Sequence, residues 1–187
     1  MMKYTLATAA VIALLAGTAQ AEQTNFDGLT VSGSLVGQGI DFIDEDDNVD
    51  DTIHSAGFGI QFDYSVNRIV GVTGGYTSTS SDDNDLDAFN LDLDTERFYS
   101  GVNLGYRFEG QDWAVKPFGV VGFNTIKTAF TKKTENKLYK ESFHKVYLGA
   151  GAAVSYKQLT ATLETDASIL EDDVIFVESR LTLGYRF

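Results

Sequence analysis

The sequence predicts an all-β chain, an eight-stranded antiparallel up-and-down transmembrane β-barrel, on three observations. Apolar and polar residues alternate with a period of two along most of the chain. The connections between the alternating segments are short and long by turns, as in membrane barrels. The apolar faces of those segments carry no charged residue, so they suit hydrocarbon. Composition agrees: thirteen Phe, nine Tyr, eighteen Gly and one Pro in 187 residues suit strands better than helices and fit one domain. The chain has no cysteine, which excludes a disulfide framework and any thiol-based metal or redox site. Fourteen Lys+Arg against twenty-seven Asp+Glu give a net charge of −13, which repels phosphate and speaks against a nucleic-acid partner. No cofactor is expected.

The chain opens with a segment outside the fold. Met1-Met2-Lys3 is a short basic start, Leu6 to Ala16 is an apolar run, and Ala19-Gln20-Ala21 is a small-residue cleavage site. Residues 1–21 therefore read as a cleaved secretory signal peptide, and 22–187 as the barrel domain. The apolar run is too short for a membrane-spanning helix of ~20 residues.

Eight strands of about eleven residues follow. The first, Leu29 to about Gly39, is Gly-rich and its register is open beyond Leu35. The second sets Ala56, Phe58, Ile60, Phe62, Tyr64 and Val66 on one face. The third sets Val70, Val72, Gly74 and Tyr76 there, and the fourth Phe98, Ser100, Val102, Leu104, Tyr106 and Phe108. The fifth runs from Trp113 to Phe123 and the sixth from Val146 to Tyr156. The seventh starts at Leu159 and weakens towards Ala167. The eighth alternates from Val177 to Phe187. Each is long enough to cross a bilayer at a tilt. Asn67-Arg68, Glu109 to Asp112 and Lys157-Gln158 are tight turns. The other connections, about 43–53, 79–95, 127–143 and 168–174, read as long polar loops.

The opposite faces carry Gly, Ser, Thr and all of Asp63, Arg97, Arg107, Lys116, Lys145, Glu164, Asp166, Glu178, Arg180 and Arg186. A ring of large apolar side chains cannot fill a narrow interior that is otherwise lined by charge. The greasy face should therefore meet lipid, and the polar face should fill the lumen. Buried charges persist only when paired. Arg97, Arg180 or Arg186 is thus expected to pair with Glu164, Asp166 or Glu178, in a lumen ion network that includes Arg107 and Lys116. Tyr64, Tyr106, Phe108, Trp113, Tyr156, Tyr185 and Phe187 lie beside short turns or at the chain's end, as one interfacial aromatic girdle.

The signal peptide, the eight strands and the closing Leu183-Gly184-Tyr185-Arg186-Phe187 resemble the small outer-membrane barrels of the OmpX kind and the OmpA transmembrane domain, a porin-like family. The resemblance covers the whole of 22–187. It implies a Gram-negative outer membrane, extracellular loops, both termini in the periplasm and a monomer in contact with outer-membrane lipid and lipopolysaccharide. It also implies an assembly signal in the last strand, read by the outer-membrane assembly machinery: Arg180, Leu183, Tyr185 and Phe187 match it, and Thr182 takes the usual Gly slot.

The loops add charge patterns. Asp83, Asp85 and Asp87 have calcium-loop spacing, but Ala88 replaces the turn Gly and Asp94 stands where Glu is usual, so they are a weak metal candidate. Lys127, Lys132, Lys133, Lys137 and Lys140 make the third loop basic. Some barrels of this kind are lipid A acyltransferases or deacylases, which need a His with a Ser and an acid. His54 is followed by Ser55, but adjacent strand residues face opposite ways. His144 has Val146 where the deacylase pattern wants Ser. No catalytic set is expected. The sequence thus points to a side-chain-filled barrel that serves envelope integrity or surface interaction and adhesion, with a host or surface ligand at the loops. The alternative is a small porin for ions or small solutes.

Overall fold

A computed structural model of the chain describes residues 26–43, 49–81, 91–132, 137–171 and 174–187. The signal segment 1–21 and Asp83, Asp85 and Asp87 lie outside the described residues. The elements in chain order are β1 (Gly28–Ile43), β2 (Val49–Ser65), β3 (Val70–Ser81), β4 (Leu91–Gly105), β5 (Phe108–Glu109), β6 (Trp113–Lys132), β7 (Lys137–Tyr156), β8 (Leu159–Glu171) and β9 (Val174–Arg186). All pairings are antiparallel. Each long strand pairs with its sequence neighbour, β1 pairs with β9, and β4 pairs with β6 across the short β5. The sheet closes into the eight-stranded barrel that the alternation predicts.

The two-residue β5 is a continuation of β4 after a break. Gly105 faces Phe118 and Phe108 faces Val115, so the register runs on unchanged while Tyr106 and Arg107 pass Pro117 and Lys116 without a ladder. Pro117 has no N–H to give, which accounts for the gap. On the other edge, Arg107 N–H still donates to the Arg68 carbonyl at 2.9 Å. The tight turns sit at one end of the barrel. Asn67 makes the first with its own side chain, whose Oδ1 accepts from the N–H of Ile69 and of Val70, both at 2.8 Å. Lys157 takes a left-handed φ of 52° in the third.

The strands run further than the sequence suggests. β6 and β7 have 20 residues each, and β4 starts at Leu91. Much of 43–53, 79–95, 127–143 and 168–174 is therefore ladder, which corrects the reading of these spans as long loops. The reason is the solvent. Twenty strand residues measure about 66 Å along the chain and stand roughly 50 Å tall at the usual tilt, against an apolar band of ~25 Å. The excess projects beyond the band, where charge on the outer face no longer argues against a strand.

Polarity inverts at that boundary. Within the band the outer face is apolar: Phe58, Phe62, Leu104, Phe123, Leu148, Leu163 and Leu183 are all exposed. Beyond it the outer positions turn polar, as with Asp94 and Glu96 above Phe98, and Lys127 above Phe123. The interior does the reverse. At the projecting end Ile40, Leu93, Ile126, Leu170 and Phe176 form a buried apolar cluster inside the barrel, with Ile53, Phe143 and Val174 packed on it. This corrects the expectation of an interior without large apolar side chains. Outside hydrocarbon the wall is wet on its outer side, so apolar residues gain by turning inward, as in a water-soluble barrel.

Candidate functional site: the lumen and the projecting hairpin

The middle of the lumen is an ion cluster. Glu164 faces Arg180, and Asp166 faces Glu178, on the adjacent strands β8 and β9. Two carboxylates side by side repel. Arg97 reaches them from β4, across the axis: Nη1 donates to Glu178 Oε1 and Nη2 to Asp166 Oδ1, each at 2.7 Å. Arg180 donates to Glu178 and Glu164, and its Nη2 stands 2.8 Å from Asp166 Oδ2. Thr77 Oγ1 donates to the remaining Glu178 oxygen at 2.9 Å. Both guanidinium groups are fully buried.

Aromatic rings wall this cluster. The Arg97 guanidinium lies 4.9 Å from the Tyr147 ring centre and 5.5 Å from that of Phe176, and Arg180 lies 4.2 Å from the Tyr99 ring. Cations over ring faces are attracted, more so when desolvated. Glycines hollow the wall to admit the rings. A Cβ at Gly101 would stand 2.4 Å from the Tyr147 hydroxyl, and one at Gly75 2.6 Å from that of Tyr99. Tyr99 then donates to Gln61 Oε1 at 2.9 Å, and Gln61 donates to Asp63. Tyr99 and Tyr147 alternate with the outer-face residues Phe98 and Val146, which places them on the lumen face, but the alternation alone gives them no role. The signal was there: they are the two large residues on faces otherwise small or charged.

Three charged residues grouped with that network lie elsewhere. Arg107, Lys116 and Arg186 line the turn end. Arg107 donates to Asp27 Oδ1 and Glu109 Oε1, both at 2.6 Å, and to the Phe26 carbonyl. Lys116 donates to Asn103 Oδ1 at 2.7 Å. Arg186 donates to Thr160 Oγ1 and to the Lys157 carbonyl, and lies over the Phe26 ring. Arg186 therefore does not join Glu164, Asp166 or Glu178. Six strand residues separate it from Arg180, about 20 Å along the chain. Asp27 precedes the first strand as read from the sequence and Glu109 lies in a tight turn, so no strand pattern marked them.

Tyr64, Tyr106, Phe108, Trp113, Tyr156 and Tyr185 are all half-exposed at the turn end, and the Tyr106–Phe108 and Tyr185–Phe187 rings meet edge to face with centres 5.1 Å apart. Of the last-strand motif, Leu183, Tyr185 and Phe187 face outward, whereas Arg180 faces into the ion cluster. His54 is exposed, and Ser55 points the other way, into the lumen, where it meets Thr79. His144 Nδ1 lies 2.9 Å from Thr125 Oγ1.

Among the described residues the ladder stops short in two places at the projecting end, between β2 and β3 above Ala56 and between β7 and β8 above Leu148. β7 pairs with β6 along its whole length, to Lys132 opposite Lys137. It pairs with β8 only from Tyr156 to Leu148. Among the described residues, the upper part of β7 has no ladder on its β8 side. The β6–β7 hairpin thus projects with an open edge on β7, which starts at Tyr147, level with the top of the apolar band, and runs on beyond it.

The family model described as "Outer membrane protein beta-barrel domain" matches residues 7–187. No curated protein matches. Among solved structures, the chain is similar to Ail, the attachment invasion locus protein of Yersinia pestis, with a TM-score of 0.59 and 21% identity over 87% of this chain and 100% of that one. The same Yersinia pestis protein in complex with the heparin analogue sucrose octasulfate gives 0.58, again at 21% identity over 87% and 100%. Neisserial surface protein A gives 0.62 at 14% identity, over 86% of this chain and 97% of that one. At these identities the likeness is one of fold.

Proposed function

The chain belongs to the outer membrane protein beta-barrel domain family, and we propose that it is a closed barrel whose work is done by its projecting end, in surface interaction and adhesion. The observation that carries this reading is the β6–β7 hairpin with its open edge. Unpaired N–H and C=O groups beside water are a template for an extended polypeptide, which adds as a further strand. A filled lumen, with an apolar cluster stacked on a buried ion cluster, supports the same reading against a porin. The turn end with both termini faces the periplasm, and the hairpins face outward. The girdle sits at one lipid interface, lipopolysaccharide surrounds the other, and Leu183, Tyr185 and Phe187 serve assembly. The barrel works as a monomer and holds no catalytic set.

Charge narrows the partner. Spans 43–53, 79–95 and 168–174 carry Asp and Glu without Lys or Arg, while 127–143 holds five Lys against two Glu. A sulfated polyanion would be repelled by most of the projecting end. An extended segment along β7 avoids that acidic surface.

The test closes the seam. Val146→Cys with Ile169→Cys joins β7 to β8 on oxidation. Bacteria displaying the protein should bind cultured epithelial cells, lose binding when the bond forms, and regain it on reduction. Binding unchanged by oxidation would contradict the edge as the docking site. Binding to heparin beads alone, unaffected by the bond, would point to a polyanion instead.

A further inference from the structure

The turn-side half of the lumen contains a cavity of about 60 Å³ that the surface role does not use. Asp63, Asn103, Arg107, Lys116, Thr160 and Arg186 are among the groups lining it. Volume of this kind holds a water per ~10–15 Å³, so there is room for a small anion with a water or two.

The charges around the cavity are unequal. Arg107 and Arg68 together balance Asp27 and Glu109. Lys116 and Arg186 stand within ion-pair distance of no carboxylate among the described residues, although both are more than nine-tenths buried. Lys116 carries three donors, and one hydrogen bond engages it, to Asn103. The Nε–H of Arg186 is buried without a partner. Asp63 also lines the space, but its oxygens accept from the Gln61 amide. Two unpaired cations against one carboxylate leave a net charge of +1 around a polar void. A buried charge without a counter-charge is costly. A buried donor without an acceptor adds to that cost.

We propose that this cavity is a site for one small monovalent anion, a halide or a formate-sized carboxylate, held between Lys116 Nζ and Arg186 Nε. The anion supplies the missing acceptor and balances the charge. Phe26 flanks it on the turn side, where Arg107 holds the Phe26 carbonyl at 3.0 Å. The site is independent of the projecting edge.

The test uses the full barrel crystallised from detergent in sodium bromide, or in sodium formate with bromide as competitor. An anomalous bromide peak is expected in the cavity, absent from Lys116→Met and displaced by formate if the site accepts carboxylates. A heat-dependent gel shift reports that the variant is folded. Asp63→Asn, which removes the competing negative charge, should lower the bromide concentration for half-occupancy by roughly fivefold. The proposal is overturned by an empty or water-filled cavity at high bromide, or by a peak that Lys116→Met leaves unchanged. Should Lys116→Met fail to fold, an Asp63→Asn barrel with unchanged bromide occupancy would overturn it equally.

Discussion

Arg97 on β4 and Glu178 on β9 meet across the barrel axis at 2.7 Å, with both side chains fully buried. No ladder joins these strands, so the contact ties opposite walls. The same guanidinium holds Asp166, and so removes the repulsion between Asp166 and Glu178 on neighbouring strands. Arg97→Met leaves Arg180 alone to balance Glu164, Asp166 and Glu178 and should cost about 3–5 kcal/mol. Glu178→Gln keeps the shape and leaves each Arg another carboxylate, so its cost should be clearly smaller. Denaturant unfolding in detergent micelles measures both.

Gly101 and Tyr147 form a steric pair. The Tyr147 hydroxyl is buried without a hydrogen-bond partner, and it fills the space a Cβ at residue 101 would need. Gly101→Ala alone should destabilise by about 1–3 kcal/mol. In a Tyr147→Phe background the hydroxyl contact is gone while the Val121 carbonyl at 2.8 Å remains, so the same change should cost less but not nothing, giving a coupling of roughly 1 kcal/mol in a double-mutant cycle. Additive effects would contradict the placement of the ring.

The edge of the apolar band falls between Phe123 and Lys127 on the outer face of β6. Gly119 lies deep in the band, and Thr125 at its margin. Gly119→Arg should cost ~2–4 kcal/mol and Thr125→Arg ~0–1. Equal costs would mean that the band is drawn in the wrong place. Refolding into lipid vesicles with a denaturant titration reads the difference.

Trp113 is the single tryptophan of the chain, half-exposed within the aromatic girdle at the turn end. Its fluorescence should be quenched best by nitroxides near the lipid headgroups and least by those at the acyl-chain ends. Depth-dependent quenching in vesicles checks this, and strongest quenching at the bilayer centre would remove the girdle from the interface.

Much of this architecture was legible because hydrocarbon imposes a strict alternation. From Phe58 to Tyr64, or from Leu181 to Phe187, every second residue must be apolar, and the lumen-facing partners need not be. That rule ends at the membrane surface. Leu93 and Ile126 continue the alternation with inverted sense; beside Asp94 Leu93 reads as loop, and Ile126 falls between the fifth strand and the loop that starts at Lys127. The central ion cluster was readable as a set of charges on one face. Which charges meet was not, because Arg97 touches β8 and β9 across the axis, and only the closure and stagger of the barrel set that distance. The role of Asp27 was hidden for the same reason, since a residue before the first strand becomes a lumen group once the chain ends gather at one mouth. The seam between β7 and β8 leaves no mark on the sequence at all. It arises from a ladder that stops at Leu148 while β7 itself continues.

The central claim is a barrel closed to solutes, and planar-bilayer conductance of the refolded protein tests it most directly. With insertion verified by the heat-dependent gel shift and by protease protection, the account predicts no discrete current steps. It also predicts that removing both the ion cluster and the apolar cluster, as in Arg97→Ala with Leu93→Ala and Ile126→Ala, would let small, irregular currents appear. Reproducible unitary steps from the unaltered protein would contradict it, and would make the lumen, rather than the projecting hairpin, the working part of the molecule.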